Sequence, residues 1–165
     1  MAEQILDKIR RSLEVADGLY HRLVLVVGAT GSGKTNLLRQ IAEDCGSSVL
    51  NVNLLLSGKL LELTTRQRSL QLQSILHQIM DQVKPPLVLD NLEILFDKTL
   101  QQDPLRLLQG ISRNRVVVAS WNGRLVSGKL LYAAAGHPEY RCYESVDALM
   151  VGLDGTATVD PPRAQ

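Results

Sequence analysis

Aromatic residues are scarce in this chain: one Phe, one Trp and four Tyr among 165 residues. A stacking platform for single-stranded nucleic acid needs several aromatic faces in succession, so that class of binder is disfavoured. Cysteine is scarcer still. Cys45 and Cys142 are far apart and fit no metal-ligand spacing. They read as two reduced, small apolar residues rather than a disulfide framework. Charge of one sign is also lacking, the formal net charge being +1, which argues against a dominant electrostatic footprint for DNA or for an anionic membrane. No apolar run approaches the roughly 20 residues needed to span a bilayer, and no charged-then-apolar leader opens the chain. A cytoplasmic location with no membrane partner is the expectation.

What is present is an ordinary globular composition, 45% hydrophobic and 21% charged. The length predicts one domain able to bury roughly 70% of its unfolded surface without a metal or disulfide staple. That domain is expected over residues 1–153. The segment 154–165, DGTATVDPPRAQ, has no periodicity and is expected to be a disordered tail. Arginine outnumbers lysine twelve to six. The close pairs Arg10/Arg11, Arg66/Arg68 and Arg113/Arg115 read as solvated faces or, for the last, as the entry to a strand.

Strands and helices alternate. Ile5, Ile9, Leu13 and Ala16 lie at helical spacing over 2–17, closed by Asp17-Gly18. Leu23–Val27 is a buried-strand run. Leu37, Leu38, Ile41, Ala42 and Cys45 line one face of a helix ending at Gly46. Val49–Val52 reads as a strand, and the leucine-rich 54–63 as either a short helix or a packed loop. From Leu70, the positions of Leu72, Ile75, Leu76, Ile79, Met80 and Val83 predict a helix that stops before Pro85-Pro86. His77 falls off that stripe and has no second ligand nearby, so it reads as a surface or interface histidine. Leu87–Leu89 and Val116–Ala119 are further buried strands, and Arg141–Tyr143 is a candidate last one. Asp103-Pro104 caps a short helix between them. Fully apolar strands separated by helices predict a three-layer α/β fold around a mostly parallel sheet of about five strands.

The chemistry concentrates at Gly28–Thr35. An apolar strand feeds GATGSGKT, a Gly-x-x-x-x-Gly-Lys-Thr loop that opens a helix, the context in which a Walker A match marks a phosphate site. Backbone N–H groups at a helix N-terminus lack intrahelical partners and carry positive dipole character. Gly28, Gly31 and Gly33 let the backbone wrap closely, with Ala29, Thr30 and Ser32 completing the loop. Lys34 is expected to reach the β- and γ-phosphates of ATP, and the Thr35 hydroxyl to ligate Mg²⁺. Asp90, closing the apolar run PPLVLD, is the candidate acid for the same Mg²⁺, with helix capping as its plainer alternative. It follows Lys34 by 56 positions. That leaves room for an extra strand between them and suits the additional-strand branch of P-loop NTPases.

Here a resemblance becomes specific. LVLDNLEILFD resembles the acidic box of AAA+ proteins, in which the Mg²⁺ aspartate is followed by a catalytic glutamate. This chain has Asn91 at that position and Glu93 two further on. Asparagine orients a water but cannot accept its proton, so slow hydrolysis is expected unless Glu93 substitutes. Asn122, after VVVAS, resembles the polar sensor-1 residue, and a plain turn asparagine explains it as well. Arg141, beside GHPEYRCYE, lies where AAA+ proteins often present an arginine finger to a neighbouring subunit, and a strand-edge arginine is the alternative. The resemblance implies an AAA+-like core without the C-terminal helical lid.

The segments RLVLVVGATGSGKTNLLRQIA, LNVNLLLSGKLLELTTRQRSLQL, LVLDNLEILFDKTLQQDPLRLLQGISRNRVVVASWNG and GHPEYRCY together resemble a narrower family, BrxF. These are small P-loop proteins of type III BREX phage-defence systems, and the likeness spans roughly residues 5–145. It implies a bacterial cytoplasmic ATPase-like component that works with other BREX proteins in restricting phage DNA and methylating host DNA. The leading expectation is a slowly hydrolysing, ATP-dependent assembly switch that forms homo-oligomers. A non-catalytic ATP-bound adaptor and a small-molecule kinase are the competing classes. Direct DNA binding is an optional addition to any of them.

Overall fold

The apolar strands alternate their side chains between two faces, and helices cover both. The structure is a computed structural model describing residues 2–133, 136–154 and 157–158. Along the chain run α1 (Ala2–Ala16), β1 (Leu23–Gly28), α2 (Lys34–Cys45), β2 (Val49–Asn51), α3 (Val52–Leu60), α4 (Thr65–Asp81), β3 (Leu87–Asp90), α5 (Pro104–Ile111) and β4 (Val117–Val126). Then come β5 (Lys129–Tyr132), β6 (Arg141–Tyr143), β7 (Leu149–Gly152) and β8 (Ala157–Thr158). Two 3₁₀ turns, Glu93–Phe96 and Lys98–Leu100, follow β3.

The sheet order is β2-β3-β4-β1-β7-β8, and its first five strands are mutually parallel. β8 joins antiparallel to β7, while β4 runs on into an antiparallel extension with β5 and β6. Leu23, Leu25 and Val27 pack with Leu56, Leu72, Leu76, Met80 and Leu108 of α3, α4 and α5. Val24 and Val26 point the other way, to Ile9 of α1 and Leu38 and Ile41 of α2. Each fully buried side chain of this kind contributes about 1.5–3 kcal/mol relative to exposure. Parallel strands with both faces covered explain why the runs carry no polar alternation.

Local chemistry sets the boundaries. α4 begins at Thr65, five residues before the apolar stripe, because Thr64 and Gln67 form a reciprocal capping box. Asp103 accepts from the Leu105 and Arg106 N–H groups and Pro104 occupies the first turn of α5. Gly46 closes α2 in the left-handed region, with the Ser47 N–H donating to the Ala42 carbonyl.

Four features differ from the sequence expectation. The 54–63 stretch resolves as α3, capped by Asn51, so Val52 begins a helix instead of ending a strand. β4 continues past Ala119 to Val126, so Asn122-Gly123 lies within a strand and the reversal comes at Ser127-Gly128, both at positive φ. The fifth parallel strand is β7, wholly buried beside β1, whereas Arg141–Tyr143 is a half-exposed member of the extension. β8 falls in the segment expected to be a disordered tail; the rest of that tail beyond Asp154 lies outside the described residues.

Four of the six aromatic residues gather where the extension meets the core. Phe96 stacks on Tyr132 with ring centroids 3.4 Å apart, and Trp121 meets Phe96, Tyr132 and Tyr143 edge-on. The Trp121 indole N–H donates to the Leu131 carbonyl, which ties β4 to β5. Such pairs add about 0.5–1.5 kcal/mol beyond area burial. The scarce aromatics are thus spent on fastening the extension to the turn that carries Glu93.

Candidate functional site

The glycine loop between β1 and α2 is shaped by backbone conformations that a side chain resists. Gly31 and Gly33 have φ of 79° and 101°, a region that costs other residues about 1–2 kcal/mol. Gly33 is the N-cap of α2 and supplies no capping side chain. The first-turn N–H groups therefore face the loop without a side-chain acceptor, a ready anion site.

Lys34 is buried, 5% exposed, and folds back over the loop. Its ammonium donates to the carbonyls of Gly28 at 2.9 Å and Ala29 at 2.6 Å, and reaches the Ser32 hydroxyl at 3.4 Å. Burial lowers its pKa, and the negative charges of Asp90 and Glu93 act against that shift. The lysine is held as a cation at the centre of the loop by carbonyl oxygens that an anionic ligand would replace.

Strand register brings the acid to the loop. β4 separates β1 from β3, with Leu89 opposite Ala119 and Val26 opposite Ser120. Asp90 therefore stands beside Ser120, whose hydroxyl donates to Asp90 Oδ1 at 2.6 Å. The Asn91 N–H donates to the same oxygen at 3.0 Å. Asp90 Oδ2 accepts from the Thr35 hydroxyl at 2.8 Å, across 55 positions of sequence. A carboxylate and a hydroxyl so placed are hard oxygen donors of the kind Mg²⁺ takes, with room left for water and phosphate oxygens. Among the described residues no cluster of three or more His, Cys, Asp or Glu forms an all-protein metal cage.

Glu93 is the second acid. Asn122, whose Gly28 neighbour on β1 fixes its level, donates through Nδ2 to Glu93 Oε1. Asn53, the second residue of α3, donates to Glu93 Oε2 at 3.1 Å. Asn91 itself lies at φ 55°. Thr30, Gly31, Gly33, Lys34 and Thr35 line one side of a cleft of about 310 Å³, and Asp90, Asn91, Glu93 and Asn122 the other.

Twelve of the thirteen sequence candidates thus find defined places, nine in this cleft and Gly28, Ala29 and Ser32 around the Lys34 ammonium. Gly28, Ala29 and Ser32 line the back of the loop, a separate cleft of about 300 Å³ shared with Arg124, Leu153 and Asp154. Arg141 is not brought to either. It sits on β6 and donates to the Gln102 carbonyl at 3.0 Å, because Arg141–Tyr143 belongs to the extension rather than to the parallel sheet. The arginine pairs are partly committed within the chain: Arg115 to Asp81 at 2.6 Å, Arg10 to Asp44 at 2.9 Å, and Arg113 over the Tyr20 ring. Cys45 and Cys142 are free and exposed, not the buried small residues their type suggests.

Two residues were missed from sequence. Ser120 is a polar residue at the end of an apolar run, but only the β3–β4 register pairs it with Asp90. Asn53 offered the signal of a second asparagine just after a strand end, with nothing in the spacing to link it to Glu93.

A larger cleft, about 610 Å³, opens at the amino ends of β1, β3 and β4 and is walled by Leu13, Pro85, Pro86 and Val116. Ligands of open α/β sheets gather at the carboxyl ends of the strands, where the glycine loop lies, so the smaller cleft is the candidate site. No protein-family model matches the chain, and comparison with curated proteins and with solved structures likewise gave no match. What the fold itself establishes is an α/β protein with a mostly parallel central sheet and helices on both faces. Among the described residues no helix is long and apolar enough to cross a membrane.

Proposed function

We propose that this chain is an AAA+-like P-loop NTPase core, which binds Mg·ATP in the cleft above β1 and hydrolyses it slowly when alone. The observation that carries the reading is the Thr35–Asp90 hydrogen bond of 2.8 Å. It joins the last residue of the loop motif to the acid of a strand two places away in the sheet. A glycine-rich turn with a surface lysine would not require that pairing, nor a buried lysine at the loop's centre. The strand order supports the additional-strand branch, since β4 lies between the loop strand and the acid strand.

In this reading the first-turn N–H groups of α2 and the Lys34 ammonium take the phosphates. Thr35 and Asp90 hold Mg²⁺, which supplies charge neutralisation at the β- and γ-oxygens. Ser120 orients Asp90 by occupying one of its oxygens, and leaves the other toward Thr35. Asn122 lies at the level of Gly28 and reports from the phosphate end of the cleft to β4 and the extension.

We assign the chain the role of a nucleotide-dependent assembly switch, associating with itself and with other proteins of a BREX-type anti-phage system in the bacterial cytoplasm. That setting rests on the resemblance of the quoted sequence segments alone. The test is ATP turnover per chain, measured against chain concentration with Mg²⁺ and without DNA. A rate per chain that rises with concentration supports a site completed between subunits. A flat rate near zero with ATP bound marks the adaptor alternative, and absence of ATP binding refutes the proposal.

A further inference from the structure

The wall of the larger cleft, at the amino ends of β1, β3 and β4, includes Arg22. Among the described residues, Arg22 Nε is the one buried side-chain nitrogen or oxygen without a hydrogen bond. Buried donors are almost always paired, so an orphan marks a place where an acceptor is expected. The backbone holds the residue there. Its N–H donates to the Ser112 carbonyl at 2.8 Å, and its own carbonyl accepts from the Val117 N–H at 2.9 Å. Arg22 is thus stitched between the end of α5 and the start of β4.

The acid within reach, Asp17, has Oδ1 3.8 Å from Arg22 Nη1, beyond hydrogen-bond distance, and is largely exposed. Arg115, the second guanidinium of the cleft, is held by Asp81 at 2.6 Å. Arg22 is therefore the cation of this cleft without a hydrogen-bonded acid. Glu14 and Asp17 stand on the α1 side, and Asp17 must give way when another anion pairs with Arg22. The remaining wall is apolar, and its prolines are stiff because the ring fixes φ. A volume of about 610 Å³ lies within the range of small-molecule sites, about 300–1,000 Å³. Apolar walls with few polar groups hold a ligand by its head and bury its body.

We propose that this cleft is a second binding site, separate from the glycine-loop cleft, for a small organic carboxylate with an apolar body. The carboxylate accepts from the Arg22 guanidinium, Nε included, and displaces Asp17. A planar guanidinium presents parallel N–H groups that match two carboxylate oxygens, which makes arginine better suited to this head group than lysine. The body of the ligand lies on Leu13, Pro86 and Val116. The site does not depend on the nucleotide reading. Arg22 precedes β1 and the glycine loop follows it, so about 20 Å of strand separates the two. The exposed thiol of Cys45 lines the same cleft and supplies a reporter of its occupancy.

The experiment is a fluorescence titration of the full chain with two probes. Dansylglycine is an aromatic carboxylate, and dansylglycinamide replaces its carboxylate by a neutral amide of the same shape. The acid is expected to bind about tenfold or more tighter than the amide. At ten times its Kd it should slow N-ethylmaleimide alkylation of Cys45 by about tenfold, measured in a Cys142→Ser background. Arg22→Gln keeps both backbone hydrogen bonds of that residue and should bring the acid to within about threefold of the amide, with thermal unfolding verifying the fold. Asn114→Trp, at an exposed position on the cleft wall, narrows the cleft and should weaken both probes by about tenfold. It decides the matter should Arg22→Gln fail to fold. Equal affinity for the two probes would show that no anion is selected and overturn the proposal. So would an Arg22→Gln variant that keeps the preference, or binding that leaves Cys45 alkylation unchanged. Failure of both probes to bind would leave the Arg22 nitrogen to water and overturn it as well.

Discussion

Replacing Lys34 with methionine keeps the aliphatic stem and removes the charge, so it separates the lysine's part in the fold from its part in binding. In the fold, the ammonium makes two short bonds to the carbonyls of Gly28 and Ala29. Hydrogen bonds to a charged group contribute about 1.5–3 kcal/mol each. Against that loss stands the relief of an unfavourable burial, the same burial that lowers the Lys34 pKa. Desolvating an ion in a protein costs several kcal/mol, so the net change in folding free energy is expected within about 2 kcal/mol. At about 2–4 °C per kcal/mol for a domain of this size, Tm moves by less than about 8 °C.

Binding is affected differently. A nucleotide must draw the ammonium from two carbonyls to its phosphate oxygens. The gain is thus the lower end of what two charged bonds supply, about 3 kcal/mol, or about 100-fold in Kd. Calorimetric titration of Mg·ATP into both proteins measures this directly. Thermal scans give a second reading, since ATP at 100 times the wild-type Kd stabilises the wild type by about 2.7 kcal/mol and a 100-fold weaker variant by only about 0.4 kcal/mol. A methionine variant that holds ATP within threefold of wild type would refute the lysine's assigned role and with it the phosphate site.

Three other outcomes follow from the packing. Asp103→Ala removes the cap of α5 and the acceptor of the Tyr143 hydroxyl at 2.9 Å; chemical denaturation should register a loss of about 2–4 kcal/mol, and a loss below about 1 kcal/mol would mean those bonds are replaced by water. Gly123→Ala places a Cβ against the Leu131 carbonyl, so the β4–β5 pairing must open. The sole tryptophan, Trp121, should then show red-shifted emission, and an unchanged spectrum would contradict the register. Burial, with Glu93 and Glu139 adding to it, pushes the Tyr132 phenol up to about 12, and Tyr143 is raised as well. A raised folded pKa means stability fully present below the free tyrosine value of about 10 and lost as pH rises to about 12, at up to about 1.4 kcal/mol per pH unit per group. Tyr132→Phe should flatten that decline, and an equal slope in both proteins would show that the phenol is not sequestered.

The parallel sheet was legible because its strands are short, apolar and separated by capped helices, and a strand buried on both faces cannot be written otherwise. The loop was legible because Gly33, Lys34 and Thr35 are contiguous, so the local chain alone sets their relation. Asp90 could be named from its place at the end of PPLVLD. Arg141–Tyr143 was read as the candidate last strand and Leu149–Gly152 was not read as a strand at all, because segments this short carry little periodicity; burial beside β1 makes Leu149–Gly152 the fifth parallel strand, and burial is a property of neighbours rather than of the segment. Asn122 could not be separated from a turn residue because Asn-Gly favours reversal, yet the partners of β4 on both sides keep that dipeptide extended.

Sequence by itself determined most of the helices, four of the five parallel strands, the glycine loop and the candidate acids, all of which are encoded within a few consecutive residues. Tertiary structure alone decided which polar groups meet. Ser120 reaches Asp90 through strand register, Asn53 reaches Glu93 through the bend at Asn91, and Arg141 is carried away from the cleft by the antiparallel extension. Each is a contact between segments about 30 to 40 residues apart, and spacing along a chain carries no information about which distant strand will lie alongside.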